Sequence, residues 1–598
     1  MNRWIACFSF LCMFVLLLPG PIPAQENAGA NDPVTQLEEV VVTAHRFEEP
    51  VQEVNANVTV LDEQEIKMSS ARDLGELLEE INIGHIEKTP GNRTSVGIRG
   101  FRTNATGNDL QGGVLILLNG RRAGTGNLAK IMTENIERIE TIRGPASVQY
   151  GSAALGGVVN VITRQGTDKT TAFAEGKLGS FGYEKAGAGF SGKAGGFDFS
   201  GTVSRSSRDD YDTADGEEYG NTGYDKKDSI SLNLGYEFLP GNGVGLIYTD
   251  YDAAEVGAPY YLIANDLDDY VDNSNESLDF VYDGATRDGL FSWKAKYFFG
   301  KDEYRFADPI DSNPDGYDDG VPDETDTDYK GAQVQMTWNP KQYTLTSGVD
   351  WVNYKIEQDY APNKTEYDNP SYFLLGKAKY LENQLIFSGG LRYDDYEVKI
   401  KEGQGGTESD EHLTPRLGVA YFILDSLKAR ASYGQGFRMP SARELAGDYT
   451  SWGFPYQGNP DLDPETSNTY ELGLDWYRRA TKASLTYFHT DFEDKIEMVA
   501  GSGGVQTWEN LTESTISGFE GSFSFDLATL WNGSWRIKPY LNFTYLTEME
   551  NEETGEDILY TSELNLSYGL AVSDPMQGFS ARLNFAYVGE QDIEYYDP

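Results

Sequence analysis

"ISLNLGYEF", Ile230 to Phe238, sets Ile230, Leu232, Leu234, Tyr236 and Phe238 on one face and Ser231, Asn233, Gly235 and Glu237 on the other. Alternation at period two marks a strand whose faces meet different surroundings. It recurs in "WRIKPYLNFTY", aligning Trp535, Ile537, Leu541, Phe543 and Tyr545, and in "FSARLNFAY", where Phe579, Ala581, Leu583, Phe585 and Tyr587 oppose Ser580, Arg582, Asn584 and Ala586. The pattern holds from about Thr170 onward. Short connections ("GSFG", "GGF", "LPGNG", "DSL") alternate with long acidic ones such as "DDYDTADGEEYGNTGYDKKD" and "DPIDSNPDGYDDGVPDETDTD". One tight rim and one long-looped rim describe a transmembrane β-barrel, apolar outside and polar within. The 38 Tyr, 29 Phe and 9 Trp supply interfacial girdles. A hairpin count gives about nineteen antiparallel strands, odd where single-chain bacterial barrels are even. The chain also stops at "EQDIEYYDP", in what reads as a loop. The expectation is that roughly three C-terminal strands are missing from it, since an unpaired edge cannot face lipid.

The other end sets the compartment. Arg3, the apolar run Trp4 to Leu18 broken only by Ser9, and Pro19-Gly20 form a secretory signal peptide, residues 1–24, cleaved after Ala24. Cys7 and Cys12 both fall inside it, so the mature chain has no thiol. Disulfides, thiolate metal sites and cysteine nucleophiles are thereby excluded. No later apolar run is long enough to span a bilayer as a helix, so a membrane crossing must use a closed barrel. With 95 Asp plus Glu against 48 Lys plus Arg, net charge −47, nucleic acid is excluded as a partner, because phosphate binding wants a basic patch.

Residues 51–165 read as a separate compact α+β domain. "SSARDLGELLEEI" places Leu74, Leu77, Leu78 and Ile81 at helical spacing, with Ser70 ahead as N-cap and Asp73 three residues on. "SVGIRG" and "GVLILLNGRR" read as strands, the second ending at an Asn119-Gly120 turn. "ENIERIETIRGP" reads as a helix or strand piece, and "GGVVNVITR" as a buried strand. Residues 25–50 form a polar leader carrying one short β-branched run, "LEEVVVTAHR", Leu37 to Arg46. Taken alone, Val40 to Val42 reads as the first strand of the following domain.

Several strings together resemble the TonB-dependent outer-membrane receptor family: "EEVVVTA" (Glu38 to Ala44), "VGIRGF" (Val96 to Phe101), "VLILLNGRR" (Val114 to Arg122), "IERIETIRGPASVQYGSAALGGVVNVITR" (Ile136 to Arg164), "SYGQGFRMPS" (Ser432 to Ser441) and "GNPDLDPETSNTYELGL" (Gly458 to Leu474). The resemblance spans essentially the whole mature chain. It implies a Gram-negative outer-membrane location and a 22-strand barrel, residues 166–598 here, whose lumen is filled by the N-terminal plug. It further implies energy-coupled uptake of a scarce ligand, driven through TonB with ExbB and ExbD, by a protein expected to be monomeric. Glu39, Val40, Val41, Val42, Thr43 and Ala44 then become a handle, the TonB box, that pairs with a partner's sheet edge through backbone bonds. The family's arginine and glutamate positions fall on Arg99, Arg143, Glu471 and Glu520, an expected plug–barrel lock, since charges in apolar settings need partners.

Recognition is expected at the plug apices near Arg102, Asn104, Asn108, Arg121 and Arg122, because loops at a mouth carry it. "DSNPDGYDDGVPD" offers Asp311, Asn313 and Asp315 in calcium-loop order, but Pro322 stands where an EF-hand has Glu. "YGNTG", Tyr219 to Gly223, resembles part of the calcium-binding loop region of the vitamin B12 transporter. Calcium is thus a candidate loop ligand, and no cofactor is required. Catalysis is not expected: His45, His85, His412 and His489 are scattered, no nucleophile elbow or H-E-x-x-H string occurs, and "GSAALGG" lacks the G-K-[ST] of a P-loop. A ferric siderophore is the expected substrate and cobalamin the alternative. A passive porin or adhesin, the reading from another class, needs neither plug nor handle.

Overall fold

The computed structural model describes residues 41–592 apart from Ala44 and the stretches 90–91, 262–263, 310–320, 360–361, 403–405, 452–453, 479, 501–503, 531–533, 553–554, 556, 575 and 577. The signal peptide, Glu39 and Val40, and the calcium-loop candidates Asp311, Asn313 and Asp315 therefore lie outside the described residues.

The N-terminal domain is built on a five-stranded sheet in the order Asn57–Leu61, Ile136–Arg143, Gly157–Thr163, Val114–Leu118, Arg121–Arg122. Gly157–Thr163, buried along its whole length, runs antiparallel to Ile136–Arg143 and parallel to Val114–Leu118. "ENIERIETIR" thus resolves as strand. Asn119 and Gly120 make the turn with φ of 52° and 80°, the left-handed pair that a tight hairpin requires. The helix covers Leu74–Glu80, with Leu74, Leu77 and Leu78 buried. Its N-cap is Asp73 rather than Ser70. The Asp73 carboxylate accepts from the Glu76 amide at 3.0 Å, while Ser70 donates to Glu80 at 3.2 Å across the helix. Asp73 stands immediately before the first turn, where its side-chain oxygen can reach the free amide of Glu76.

From Thr171 onward the described residues form one ladder of 21 strands, antiparallel apart from a single bridge between Tyr456 and Gln506. Two of these, Asp448–Ser451 and Phe454–Gln457, are a hairpin within a long connection, leaving nineteen long strands. Alternation sets their two faces: Leu232, Leu234, Tyr236 and Phe238 are exposed, whereas Ser231 and Asn233 are buried. The "GSFG" turn, although short, shares its rim with the long loops, because Glu184–Ala194 is followed by the tight turn at Gly195-Gly196 on the opposite rim.

The ladder wraps the N-terminal domain. Proceeding along it, Glu134 meets Lys185, the Arg164 carbonyl meets Ser200, and Asn135 meets Ser231. Asn92 meets Tyr251, Arg121 meets Asp279, Lys130 meets Asp302, and Arg46 meets Gln335 and Asp350. Glu49 meets Lys377, Asn55 meets Ser388, the Pro145 carbonyl meets Arg416, and the Val54 carbonyl meets Lys428. Arg99 meets Glu471 and Glu520, Phe101 meets Phe492, Glu65 meets Lys538, and Glu80 meets Ser567 and Arg582. A domain that touches every strand from Glu184–Ala194 to Phe579–Val588 is encircled by them. The interior is polar because it faces this domain, and the exterior is apolar because it faces lipid.

Leu234 sits at the middle of the exposed apolar stripe. Leu234→Arg is expected to cost about 2–4 kcal/mol of barrel stability, read by urea titration in lipid vesicles. Asn233→Ser, one residue away on the lumen face, is expected to cost about 1 kcal/mol or less.

Candidate functional site

Two rims give the site its direction. Arg46, Glu49 and Glu53 bond to Gln335, Lys377 and Lys379, near the strand ends at Trp338 and Tyr380 that lead into short turns. The segment that follows the expected handle therefore lies toward the tight rim. Leu110, beyond the opposite end of the sheet, is buried with Tyr354, Tyr396, Ile496 and Trp508, which adjoin the long loops.

At the tight rim Val41 and Val42 pair antiparallel with Pro50 and Glu49. Val42 is fully buried among Val54, Leu115, Ile142 and Tyr150. The Thr43 amide and hydroxyl both donate to the Glu140 carboxylate, at 2.9 and 2.6 Å, and the Tyr150 hydroxyl donates to the Thr43 carbonyl at 3.2 Å. Arg46 clamps Asp350 with two bonds of 2.9 and 2.8 Å, and its guanidinium lies 4.4 Å from the Phe373 ring centre. His45 bonds Glu49, whose other oxygen accepts from Lys377 at 2.6 Å. Burial would raise the Glu49 pKa, but His45 and Lys377 outweigh it and hold the carboxyl below its ordinary value of 4.5. The run is thus docked, tied both to its own domain and to the wall. The Arg46–Asp350 clamp was not foreseen: the arginine stands in a polar segment with no apolar contrast to flag it.

In mid-lumen, Arg99 alone takes both carboxylates of the lock. Its Nη1 lies 2.7 Å from Glu471, and its Nη2 and Nε lie 2.8 and 3.0 Å from the two oxygens of Glu520. Arg143 differs from expectation. It bonds within its own domain, to Thr59 at 2.8 Å and to the carbonyls of Asn82 and Ile83 at 3.1 and 3.4 Å. The two glutamates are completed by Arg99 with Asn57, which donates to Glu520, and Ser432, which donates to Glu471 at 2.9 Å, while the Arg143 donors are taken up by Thr59 and the two carbonyls. Burial opposes the Arg99 charge, yet Glu520 and Glu471 hold its pKa above the ordinary arginine value; burial depresses that of Arg143.

Most of the expected ligand contacts are internally committed. Arg121 is buried on Asp279, at 2.9 and 3.0 Å, and on Ser277, making a second tie between plug and wall. Arg122 is buried against Asp109 and the Ser152 carbonyl. Asn108 is buried and accepts from the Leu110 amide. Arg102, half-buried, pairs with Glu87 at 2.6 Å and reaches the Tyr560 carbonyl. Asn104 is also half-buried and bonds Gln111 and Thr106. Beside these plug residues, the mouth carries a platform on the loop after Arg438. There the short helix Ala442–Ala446, capped by Ser441 with Glu444, presents exposed Arg443. The Arg443 guanidinium lies 4.9, 5.9 and 5.9 Å from the ring centres of Tyr449, Tyr456 and Trp508. Tyr449 and Tyr456 stack at 4.7 Å and 3°. Only the aromatic spacing in "DYTSWGFPYQ" hinted at it.

Among the described residues one carboxylate group has metal-ligand proximity, Asp266, Asp268 and Asp269, with oxygens within 4.8 Å of one another. Asn221 of the "YGNTG" string donates to the carbonyls of Asp266 and Asp269 at 3.2 and 2.6 Å. A Ser–His–Asp chain also occurs on the outward face: Ser517 lies 2.8 Å from His489 Nδ1, and His489 Nε2 lies 2.9 Å from Asp491. Ser517 is buried and also donates to Glu548 at 3.1 Å. The backbone around it is held in the ladder, so the donors that acyl transfer needs are not presented.

Residues 50–158 match the family described as TonB-dependent Receptor Plug Domain, and residues 358–598 match TonB dependent receptor-like, beta-barrel. The chain is 26% identical to the vitamin B12 transporter BtuB of Photobacterium profundum, over 87% of this chain and 80% of that protein. It is 23% identical to the ferrienterobactin receptor of Escherichia coli K12, over 96% and 86%. Among solved structures, the Pseudomonas aeruginosa ferric enterobactin receptor in complex with enterobactin superposes with a TM-score of 0.71 at 19% identity, covering 91% of this chain and 88% of that one. The copper transporter OprC superposes at 0.72 and 17%, covering 90% and 87%.

Arg99→Ala leaves two glutamates buried without their cation and is expected to weaken plug docking by about 3–5 kcal/mol, measured as denaturant sensitivity of plug proteolysis; Arg143→Ala is expected to cost less. Glu49, with its folded pKa depressed, stabilises the docked segment fully above its unfolded value near 4.5. That contribution is lost as pH falls through the lower folded value. The labelling rate of a Val42→Cys reporter, divided at each pH by that of the same thiol in the denatured protein to remove its own ionisation, is expected to rise on acidification below that window, and Glu49→Gln is expected to remove the pH step.

Proposed function

The chain belongs to the TonB-dependent receptor family, and on that premise we propose that it takes up a scarce metal chelate through the outer membrane. The substrate is a ferric siderophore, and the driving partner is a periplasmic TonB acting with ExbB and ExbD on Glu39 to Ala44. The observation that supports this reading is a lumen filled by a domain tied to the wall by many polar contacts, with Val41 to Thr43 docked at the tight rim. A filled lumen suits gated import and not a passive porin. Polar ties are short-ranged, so a small displacement admits water and weakens each of them. The reading also draws on the relatives that bear siderophore-receptor names.

The platform of Arg443 over Tyr449, Tyr456 and Trp508 supports an anionic chelate with flat rings. The guanidinium offers charge-assisted donors, and the half-buried rings of Tyr449 and Tyr456 offer stacking area, Trp508 being buried. Cobalamin is the second reading, favoured by the similarity to vitamin B12 transporters and by the contact of the "YGNTG" string with Asp266 and Asp269.

Growth of an uptake-deficient host on ferric siderophores or on cobalamin distinguishes the two substrates. Val41→Pro removes a backbone donor and is expected to abolish growth rescue while leaving ligand binding intact. Rescue that survives the proline would defeat the handle assignment. Arg443→Ala is expected to weaken binding of a ferric catecholate by about 2- to 30-fold, the range of a partly desolvated cation–π contact, with little effect on cyanocobalamin.

A further inference from the structure

On the outward face of the wall, strands Lys364–Tyr380 and Leu385–Glu402 frame an apolar groove of about 920 Å³ that continues across their neighbours as far as Tyr487. Lys377 and Ser388 point into the lumen, to Glu49 and Asn55. Their neighbours Gly376, Ala378, Phe387 and Gly389 therefore face lipid, since alternate residues of a strand share a side. Two cross-strand rows shape the groove. In one, Gly376 pairs with Gly389, and Leu345 and Leu417 stand at either side. In the other, Val419 pairs with Ala431, between Phe387 and Leu472. Each small pair opens a notch about two strands wide, roughly 10 Å. The notches adjoin on strand Thr407–Leu424, where Leu417 closes the first row and Val419 opens the second. Leu345, Phe387, Leu417 and Leu472 are exposed and form the walls.

The groove lies just above the tight rim. Trp338 and Tyr343 line its lower end and flank the turn between strands Asp323–Trp338 and Tyr343–Gln358. Tyr380 stands edge-on to both Tyr343 and Phe387, at 6.3 and 6.1 Å between ring centres. Aromatic girdles mark the membrane interfaces of a barrel, and its short turns are the periplasmic ones. The groove therefore opens to the inner leaflet. Along the same rim the turns and strand ends expose Lys341, Glu382, Asp425 and Arg478, so both signs of charge stand below it.

A recess facing hydrocarbon is filled by whatever reaches its floor, because a vacant one forfeits dispersion contact along its lining. A second barrel is poorly shaped for it: a barrel wall is convex, and Leu345, Leu417 and Leu472 would hold it off Gly376 and Gly389. A slender acyl chain fits, and the volume falls within the roughly 300–1,000 Å³ of small-ligand sites. The rim then selects the headgroup. Lys341 and Arg478 suit a phosphate, whereas Glu382 and Asp425 repel a net anion and suit an ammonium. We propose that the groove is a binding site for a zwitterionic aminophospholipid of the inner leaflet, with one acyl chain laid over Gly376 and Gly389, its phosphate toward Lys341 and its amine toward Glu382. The site involves neither plug, handle nor substrate, so it stands or falls independently of the uptake reading.

Native mass spectrometry of the full mature chain in mild detergent tests this, with palmitoyl-oleoyl phosphatidylethanolamine titrated in and phosphatidylglycerol of the same chains run in parallel. The first phosphatidylethanolamine is expected to bind more tightly than later ones and more tightly than phosphatidylglycerol. Gly376→Leu combined with Ala431→Phe fills both notches and is expected to abolish that first site. A side chain at Gly376 meets only Leu345, at 3.8 Å, so Gly376→Leu alone serves if the double variant does not assemble. Ala295→Leu adds the same bulk to the outward face away from the groove, beside inward Lys296, and is expected to leave binding unchanged. Lys341→Ala is expected to weaken the first site by up to about fivefold, the scale of an exposed charge pair. Heat-modifiable gel mobility identifies the folded variants. An undiminished first site in a folded, filled variant would overturn the proposal, as would equal or tighter binding of phosphatidylglycerol. A dimer that the filled variant loses would give the groove to a second copy and overturn it too.

Discussion

A backbone in hydrocarbon must satisfy its own N–H and C=O groups, and the rest of this protein follows from that constraint. Long strands in one continuous ladder meet it. Alternation then assigns one face of every strand to lipid and leaves the other facing inward. The inward face collects residues that lipid would reject, including Lys377, Arg392, Lys428, Glu471 and Glu520. A wall so charged needs a charged filling, and the N-terminal domain supplies Arg46, Glu49, Arg99, Arg121 and Lys130 in the matching places.

The balance of these contacts explains how a plug can be both secure and removable. Buried ion pairs add little net stability over an apolar alternative, yet breaking one partner is expensive. The seated plug therefore has a defined position without a large apolar adhesive. Apolar contact with the wall does occur, where Phe488, Phe492 and Ile516 join the core around Leu77 and Ile98. It recurs elsewhere around the lumen, where Val148 packs with Phe373 and Leu375 and Leu110 lies among Phe298, Tyr329 and Tyr354. Arg46 and Glu49, which follow the docked Val41 to Thr43, are fastened to the wall through Asp350 and Lys377.

Much of this architecture was legible because period-two alternation is carried by single residues and needs no partner to be seen. The roughly nineteen strands and their two faces were readable on that basis; the compact N-terminal domain was readable from its helical spacing and short strands, and its place inside the wall only from the family resemblance. Arg99 was readable as well, since an arginine between Ile98 and Gly100 contrasts with its neighbours. Arg143 carried the same local signal, yet its partners are backbone carbonyls, which no side-chain pattern announces. Arg121 and Arg122 read as ligand contacts because their pairing with Asp279 and Asp109 depends on how the domain is rotated inside the wall. Arg46, Asp350 and Lys377 were missed for the related reason that a charge in a polar stretch looks the same whether it meets water or a partner. The mouth platform lay in a loop, where spacing carries no fixed geometry.

The encirclement itself has a consequence for biogenesis. A wall whose strands nearly all bond inward would, if completed empty, hold water against its inward charges, and a plug entering later would have to strip that water from each of them. Laying successive hairpins around an amino-terminal domain already in place avoids that desolvation step. Mutations at Arg121 or Lys130 would then first be felt in the yield of assembled protein, before any effect on what the finished protein carries.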